Sequence, residues 1–454
     1  MKNNRIKWLS VLFTIHCSLF VSMVFTSCDD FLDITPTGKV IAETGEEYRA
    51  LLTYEYKYFP KDRYLTTVRT DEISMSKAAT SSIDLDAYLD LWRWKDDDPS
   101  TTTTYFNWRS YYHTIYIANY VIGHKGEITH ATAAEISQLV GEAYMLRAYC
   151  HFLLVNLYAE PYTHCQPATT RGVPVQTVAD VNAMPRSSSV EAVYSQVLAD
   201  LDEAARHINV KQWEQGYNYR FNATSVEALR ARTYLYMGRW QEALTAARAV
   251  ISERDALEDL NVSTSALPNS YKSVENIVAL ERFSTNEYTV INRPATDFLA
   301  LYRTGDQRRS RYFKRATTTT YTLIKGGGDD YACSFRTAEA RLTAAEAACR
   351  LGQKEEAVSL LTPLLKNRLN TTAYDTALQL MAAMSQQELL QEILDERARE
   401  LAFEGHRWYD LRRTTQPQLS RQYDGETYTL KPANYTMRFP SEAVEANPEI
   451  EIWN

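Results

Sequence analysis

The densest run of reactive side chains is Glu396-Arg397-Ala398-Arg399-Glu400-Leu401-Ala402-Phe403-Glu404-Gly405-His406-Arg407-Trp408-Tyr409-Asp410-Leu411-Arg412-Arg413. Glu404 and His406 are the kind of acid and base that proton-transfer catalysis uses. Glycoside cleavage, however, needs two carboxylates placed across a bond in a cleft, and these charges share one helical stretch. Glu396 with Arg399, and Glu400 with Glu404 and Arg407, stand at helical spacings where side chains meet. Leu390, Ile393, Leu394, Arg397, Leu401 and Glu404 trace one face of the same stretch. The pattern predicts a structural ion-pair network and no catalytic residue.

A second group is aromatic. Tyr54, Tyr56, Tyr58 and Phe59 precede Tyr88, Trp92, Trp94, Tyr105, Phe106 and Trp108. Flat rings with a polar edge suit ligands that are apolar on one face and hydroxylated on the other. Asp96, Asp97 and Asp98 follow Trp94 and can accept from hydroxyls. Tyr58, Tyr88, Trp92, Trp94 and Asp96 are therefore the candidate ligand-binding set, while Trp108, which opens a helical run, is expected in the core. The loop 317–331, TTTTYTLIKGGGDDY, is a second candidate because its glycines allow close backbone approach.

Other chemistries are poorly represented. Asp96-Asp97-Asp98 and Asp329-Asp330 lack the alternating spacing of a calcium loop, so they read as solvated acidic loops. No CxxC, HExxH or HxH spacing occurs, and neither a metal nor a cofactor is expected. Among the cysteines, Cys150 and Cys165 are the nearest pair, but Cys150 and Cys349 sit in helical patterns where a buried free thiol suffices. The net charge of −8 argues against nucleic acid as a partner, since phosphate binding needs a basic face.

The first residues give an address. Lys2, Arg5 and Lys7 precede an apolar run with no further charge until Asp29, an export signal. It ends at Phe25-Thr26-Ser27-Cys28, which resembles the lipobox of bacterial lipoproteins. Residues 1–27 then form the signal and Cys28 carries the lipid, with acyl chains held by roughly 0.8 kcal/mol per buried methylene. A membrane-spanning helix fits less well, because His16, Cys17 and several Ser and Thr lower the hydropathy and no positive flank follows. Removing the signal takes away three positive charges and no negative ones, leaving −11.

The elements behind the tether 28–43 are helical. Thr44-Gly45-Glu46-Glu47 is a capping box, and helical periodicity runs through 112–121, 133–158 and 189–207. Residues 56–107 and 159–188 read as loop-rich. Ala231, Tyr234, Gly238, Trp240, Ala243 and Val250 follow the spacing of a tetratricopeptide repeat. Ala345, Gly352, Ala357, Leu361 and Leu364 repeat that frame, with a long insertion between the two that is expected to carry functional loops. Ser385-Gln386-Gln387-Glu388 is another capping box. No alternating strand–helix pattern exists. The expected fold is all-α, with tetratricopeptide-like helical pairs, long inserted loops and little β structure.

These residues resemble the SusD/RagB family of surface nutrient-binding lipoproteins. The resemblance rests on Cys28-Asp29-Asp30-Phe31-Leu32-Asp33 with Pro36, on Leu301-Tyr302 through Gly305-Asp306 with Arg308 and Tyr312-Phe313, and on Phe335 through Gly352. It rests most specifically on Glu396 through Arg413, with Phe439-Pro440 and Asn447-Pro448 after it. The resemblance implies regions 44–270 and 271–454 packed as one globular unit. It implies a lipid-anchored protein of the outer membrane that faces outward and captures oligosaccharides or, in some relatives, peptides. It also implies a SusC-like TonB-dependent transporter as partner. A helical-repeat adaptor that only docks proteins is the alternative reading.

Overall fold

A computed structural model of the protein describes residues 42–75, 82–96, 100–283, 289–326 and 331–453. The chain opens with α1 (Gly45–Tyr58), α2 (Tyr64–Val68) and α3 (Ser82–Trp92). It continues with α4 (Trp108–Gly123), α5 (Ala133–Tyr158), α6 (Val190–His207), α7 (Ala223–Met237) and α8 (Trp240–Glu253). Two short helices follow, α9 (Thr296–Leu299) and α10 (Arg308–Tyr312). The last group is α11 (Thr337–Arg350), α12 (Lys354–Lys366), α13 (Thr371–Ala383), α14 (Gln386–Glu400), α15 (Arg407–Arg413) and α16 (Ser441–Ala446). Strands β1 (Asn276–Val278), β2 (Phe313–Arg315), β3 (Tyr321–Leu323), β4 (Phe335–Arg336), β5 (Ser420–Tyr423) and β6 (Glu426–Thr429) make only two-stranded antiparallel ribbons. They pair β1 with β4, β2 with β3 and β5 with β6.

Local signals place the helix ends. The boxes at Thr44/Glu47 and Ser385/Glu388 both form, each hydroxyl accepting from the third backbone amide while the glutamate accepts from the cap. Thr132 and Glu135 make a third at the start of α5. Gly238 and Gly352 sit at φ +73° and +80°, the left-handed turns that the repeat frame requires. Behind those turns, Ala231, Ala243, Val250, Ala345, Ala357, Leu361 and Leu364 are all buried.

The helices stack as the repeats imply. α4 packs on α5, α5 on α6, α7 on α8, and α11 on both α12 and α14. α8 also packs directly on α11, although residues 254–336 separate them in sequence. The two repeat frames are therefore neighbours in space across the insertion. From Glu43 onward the described chain is one compact unit.

Two differences from the sequence-based expectation stand out. The stretch 56–107 contains α2 and α3, because Leu85, Tyr88, Leu91 and Trp92 supply a buried stripe too short to register as a periodic pattern. A helix α13 follows α12, with only Ala377 and Met381 buried. Cys150, Cys165, Cys333 and Cys349 are all unbridged.

A Cβ on Gly238 would lie 3.3 Å from Thr163 Cγ2 with the backbone still left-handed. Gly238→Ala should cost about 1–2 kcal/mol, seen as a lower urea midpoint at unchanged slope. Gly123→Ala, whose added methyl meets nothing within 4 Å, should leave the midpoint at or above wild type.

Candidate functional site

The stretch with the acid and base, which runs from the end of α14 through a turn into α15, is part of an internal lattice. Glu400 is fully buried, and its Oε1 accepts from Arg336 at 2.7 Å and Arg368 at 2.9 Å. Its Oε2 accepts from Arg368 Nε at 2.9 Å and Arg308 at 3.0 Å. Glu275 accepts from Arg336 and Arg368, and Glu396 and Asp306 accept from Arg308. Burial by itself favours the neutral acid, yet Arg368, Arg336 and Arg308 hold Glu400 well below the usual carboxylate range.

Glu404 and His406 belong to the same interior. Both Glu404 oxygens accept from Arg336 at 2.9 Å, and Lys325 pairs with it. Against the opposing effect of burial, these two cations hold Glu404 below the usual carboxylate range, the opposite of the raised pKa a general acid uses. His406 accepts from Arg63, and burial together with Arg63 and Arg232 pushes it well below its ordinary value. Phe403 and Gly405 adopt left-handed backbone at φ +59° and +68°, and the Phe403 amide donates to Glu72 at 2.7 Å. A Cβ on Gly405 would meet Arg63 Cγ at 2.9 Å. The motif is a structural knot, as expected, but not on one helix face. α14 ends at Glu400 and α15 begins at Arg407, with Glu404 and His406 in the turn between them. Arg407 pairs with Asp71 instead of Glu400 or Glu404.

The expected aromatic platform divides. Trp92 and Trp94 are 3% and 4% exposed, so neither offers a face to solvent. Their indole nitrogens donate to the Ile73 and Arg69 carbonyls at 3.1 and 2.9 Å. Between them lies Arg421 of β5, its guanidinium 4.8 Å from the Trp92 ring and 4.1 Å from the Trp94 ring. Arg421 also donates to the carbonyls of Val68, Thr70 and Trp92. Tyr88 is buried against Tyr64. Asp96 receives the Arg69 fork at 2.7 and 2.9 Å and the Asn434 amide at 2.9 Å. Four of the five candidates are thus engaged within the fold. Arg421 of the C-terminal ribbon, invisible in the local pattern, covers Trp92 and Trp94, Tyr64 packs on Tyr88, and Arg69 with Asn434 holds Asp96. Asp97, Asp98, Asp329 and Asp330 fall outside the described residues, as does the proposed lipid site at Cys28.

Tyr58 is different. It and Tyr54 are each 54% exposed, with ring centroids 4.3 Å apart on one face of α1. Trp108 packs on Tyr112, Tyr158 and Phe439, as its helical position suggested. A cluster missed by sequence reading lies at Trp213, Tyr217, Tyr219 and Arg220. There the Arg220 guanidinium is 5.0, 4.8 and 5.3 Å from the three rings. Tyr56 of α1 meets Tyr219 at 5.5 Å. The run of aromatics around Gly216, in a segment without helical period, was the available signal.

The SusD family model matches residues 270–449, and a related model described as starch-binding, associating with outer membrane, matches residues 30–235. The chain belongs to the SusD/RagB family. A SusD-like protein of Formosa agariphila is 26% identical over 262 residues, covering 55% of this chain. That alignment takes in 46% of the relative, so this chain matches about half its length. Among solved structures, a SusD superfamily protein of Bacteroides thetaiotaomicron aligns with TM-score 0.72 at 21% identity, covering 90% of this chain and all of that one. A SusD-like carbohydrate binding protein of Bacteroides vulgatus gives 0.67 at 18%, over 90% and 97% of the two chains. A laminarin binding SusD-like protein gives 0.64 at 18%, over 89% and 98%. The SusD family is associated with the outer membrane, and no helix among the described residues is long and apolar enough to cross one.

Two substitutions test the interior. Glu346 is buried; Arg413, Arg397 and Arg350 overcome that burial and hold its pKa at about 2. A depressed folded-state pKa stabilises above the unfolded value and loses that contribution as pH falls. The melting-temperature advantage of wild type over Glu346→Gln should therefore be full above about pH 4.5 and fade toward pH 2. Arg421→Ala orphans three carbonyls and should cost roughly 2–3 kcal/mol, with tryptophan emission shifting red and acrylamide quenching rising.

Proposed function

We propose that this protein is a non-catalytic, lipid-anchored, outward-facing glycan-binding protein of the outer membrane that hands oligosaccharide to a SusC-like TonB-dependent transporter. The exposed Tyr54–Tyr58 face on α1 carries the reading. It presents two adjacent rings with polar edges to solvent, the arrangement that sugar C–H faces stack on. Family membership supports it, as does the fold shared with a laminarin binding protein. The burial of Glu404 and His406 supports a non-catalytic role: the glutamate is paired with Arg336 and Lys325, and burial beside Arg63 holds the histidine well below its ordinary value. The export signal and Cys28 supply the anchor.

The protein beginning at Asp29 should bind laminarin or starch in affinity electrophoresis and calorimetry. Tyr54→Ala/Tyr58→Ala should weaken that binding about tenfold, or 1.4 kcal/mol, with the melting temperature unchanged. Equal affinity in the double variant removes the α1 face as the site. Binding of peptides alone would move the protein to peptide capture, and silence toward both would favour an adaptor.

A further inference from the structure

We propose a second, separate sugar site in the cleft where the start of α8, the end of α11, α14 and the turn after α15 converge. It rests on the glycan-binding reading above. The cleft has a volume of 610 Å³, inside the range of about 300–1,000 Å³ typical of small-ligand sites. Its floor is apolar: Trp240 from α8, and Leu390 and Leu394 one helical turn apart on α14. Gln387 and Gln391, at the same spacing on α14, line it with Thr415. A sugar ring has this amphipathic character, with C–H faces for the floor and hydroxyls for amides and alcohols.

The charges decide the ligand class. Arg350 covers the Trp240 ring at 4.5 Å and pairs with Glu346 at 3.2 Å. Arg413 is neutralised by Glu346 and Asp410. Glu388 is occupied in the Ser385 capping box. Both arginines at the cleft are engaged from within and Glu388 adds a negative charge, so the lining offers no unpaired arginine to a phosphate or carboxylate.

The uncharged groups are open. The Gln387 amide and Thr415 hydroxyl have no hydrogen-bond partner among the described residues, and both can donate and accept. Gln391 donates its amide hydrogen to Asp395 at 2.9 Å, which leaves its carbonyl to accept. His164 Nε2 donates to the Thr414 carbonyl at 2.8 Å, leaving Nδ1 as an acceptor.

The walls are also held in place before any ligand arrives. Thr163 donates to the Arg413 carbonyl at 2.9 Å, clamping the 162–164 turn onto the end of α15. The Trp240 indole lies beside the Gly238 turn, its nearest ring atom 3.5 Å from where a Cβ would be. Preorganisation of this kind lowers the ordering cost of binding.

The test uses the full mature chain labelled with 5-fluorotryptophan, with the Trp240 fluorine resonance assigned by Trp240→Phe. Laminarihexaose, maltohexaose and cellohexaose are titrated in parallel by fluorine NMR and calorimetry. The Trp240 resonance should move saturably in wild type and equally in Tyr54→Ala/Tyr58→Ala. Gln387→Ala/Gln391→Ala should weaken that movement about fivefold or more while the calorimetric binding that depends on Tyr54 and Tyr58 persists. A static Trp240 resonance beside calorimetric binding overturns this site alone. A Trp240 response that disappears with Tyr54 and Tyr58 overturns it too, since there would be one site. Calorimetric silence with all three sugars overturns both readings, and a response to a peptide mixture only overturns the sugar assignment.

Discussion

Three arginines converge on one buried carboxylate, Glu400, and much of the remaining geometry follows from that. Removing ions from water costs several kcal/mol each, and attraction offsets this only when every partner is placed. Arg308 comes from α10, Arg336 from β4, Arg368 from just beyond α12, and Glu275 from just before β1. None can be left out without stranding a charge. The chain between the repeats must therefore return to the end of α14, whatever its intervening loops do. Glu404 extends the lattice to Lys325, and Glu396 extends it to Arg399.

This gives the insertion 254–336 a different meaning from the one its lack of period suggested. It was expected to carry functional loops between repeats. In the structure it supplies Glu275, Asp306, Arg308, Lys325 and Arg336 to the interior and lets α8 stack on α11. A second cluster, Glu346 with Arg397, Arg413 and Asp410, ties α11 to α14 and α15. With the ions satisfied inside, the surface is free to present uncharged, aromatic and amide groups. The Tyr54–Tyr58 face is of that kind, as are Gln387, Gln391 and Thr415 in the α14 cleft.

Charge spacing and aromatic content carried different amounts of information. The motif Glu396 through Arg413 was legible as structural from its density of opposite charges, but only the pair Glu396–Arg399 sits at helical spacing on α14. Glu400 and Glu404 meet cations from distant segments. Aromatic content was less reliable. Trp92, Trp94 and Tyr58 look alike as letters, yet two of them lie beneath Arg421 and the third faces solvent. The buried rings differ from the exposed one in tertiary contacts: carbonyls of Ile73 and Arg69 that take their indole hydrogens, and Arg421 from over three hundred residues away.

By itself the sequence determined the helical pairs, the capping boxes at Thr44 and Ser385, the glycine turns at 238 and 352, and the family. These depend on neighbours a few residues apart, through backbone hydrogen bonds, caps and helical period. Tertiary structure alone decided which repeat stacks on which and which carboxylate meets which arginine. It also decided which aromatic faces stay open and that Trp240, Gln387 and Thr415 border one cleft. Those outcomes depend on burial and on contacts between distant segments, and a local pattern has no term for either.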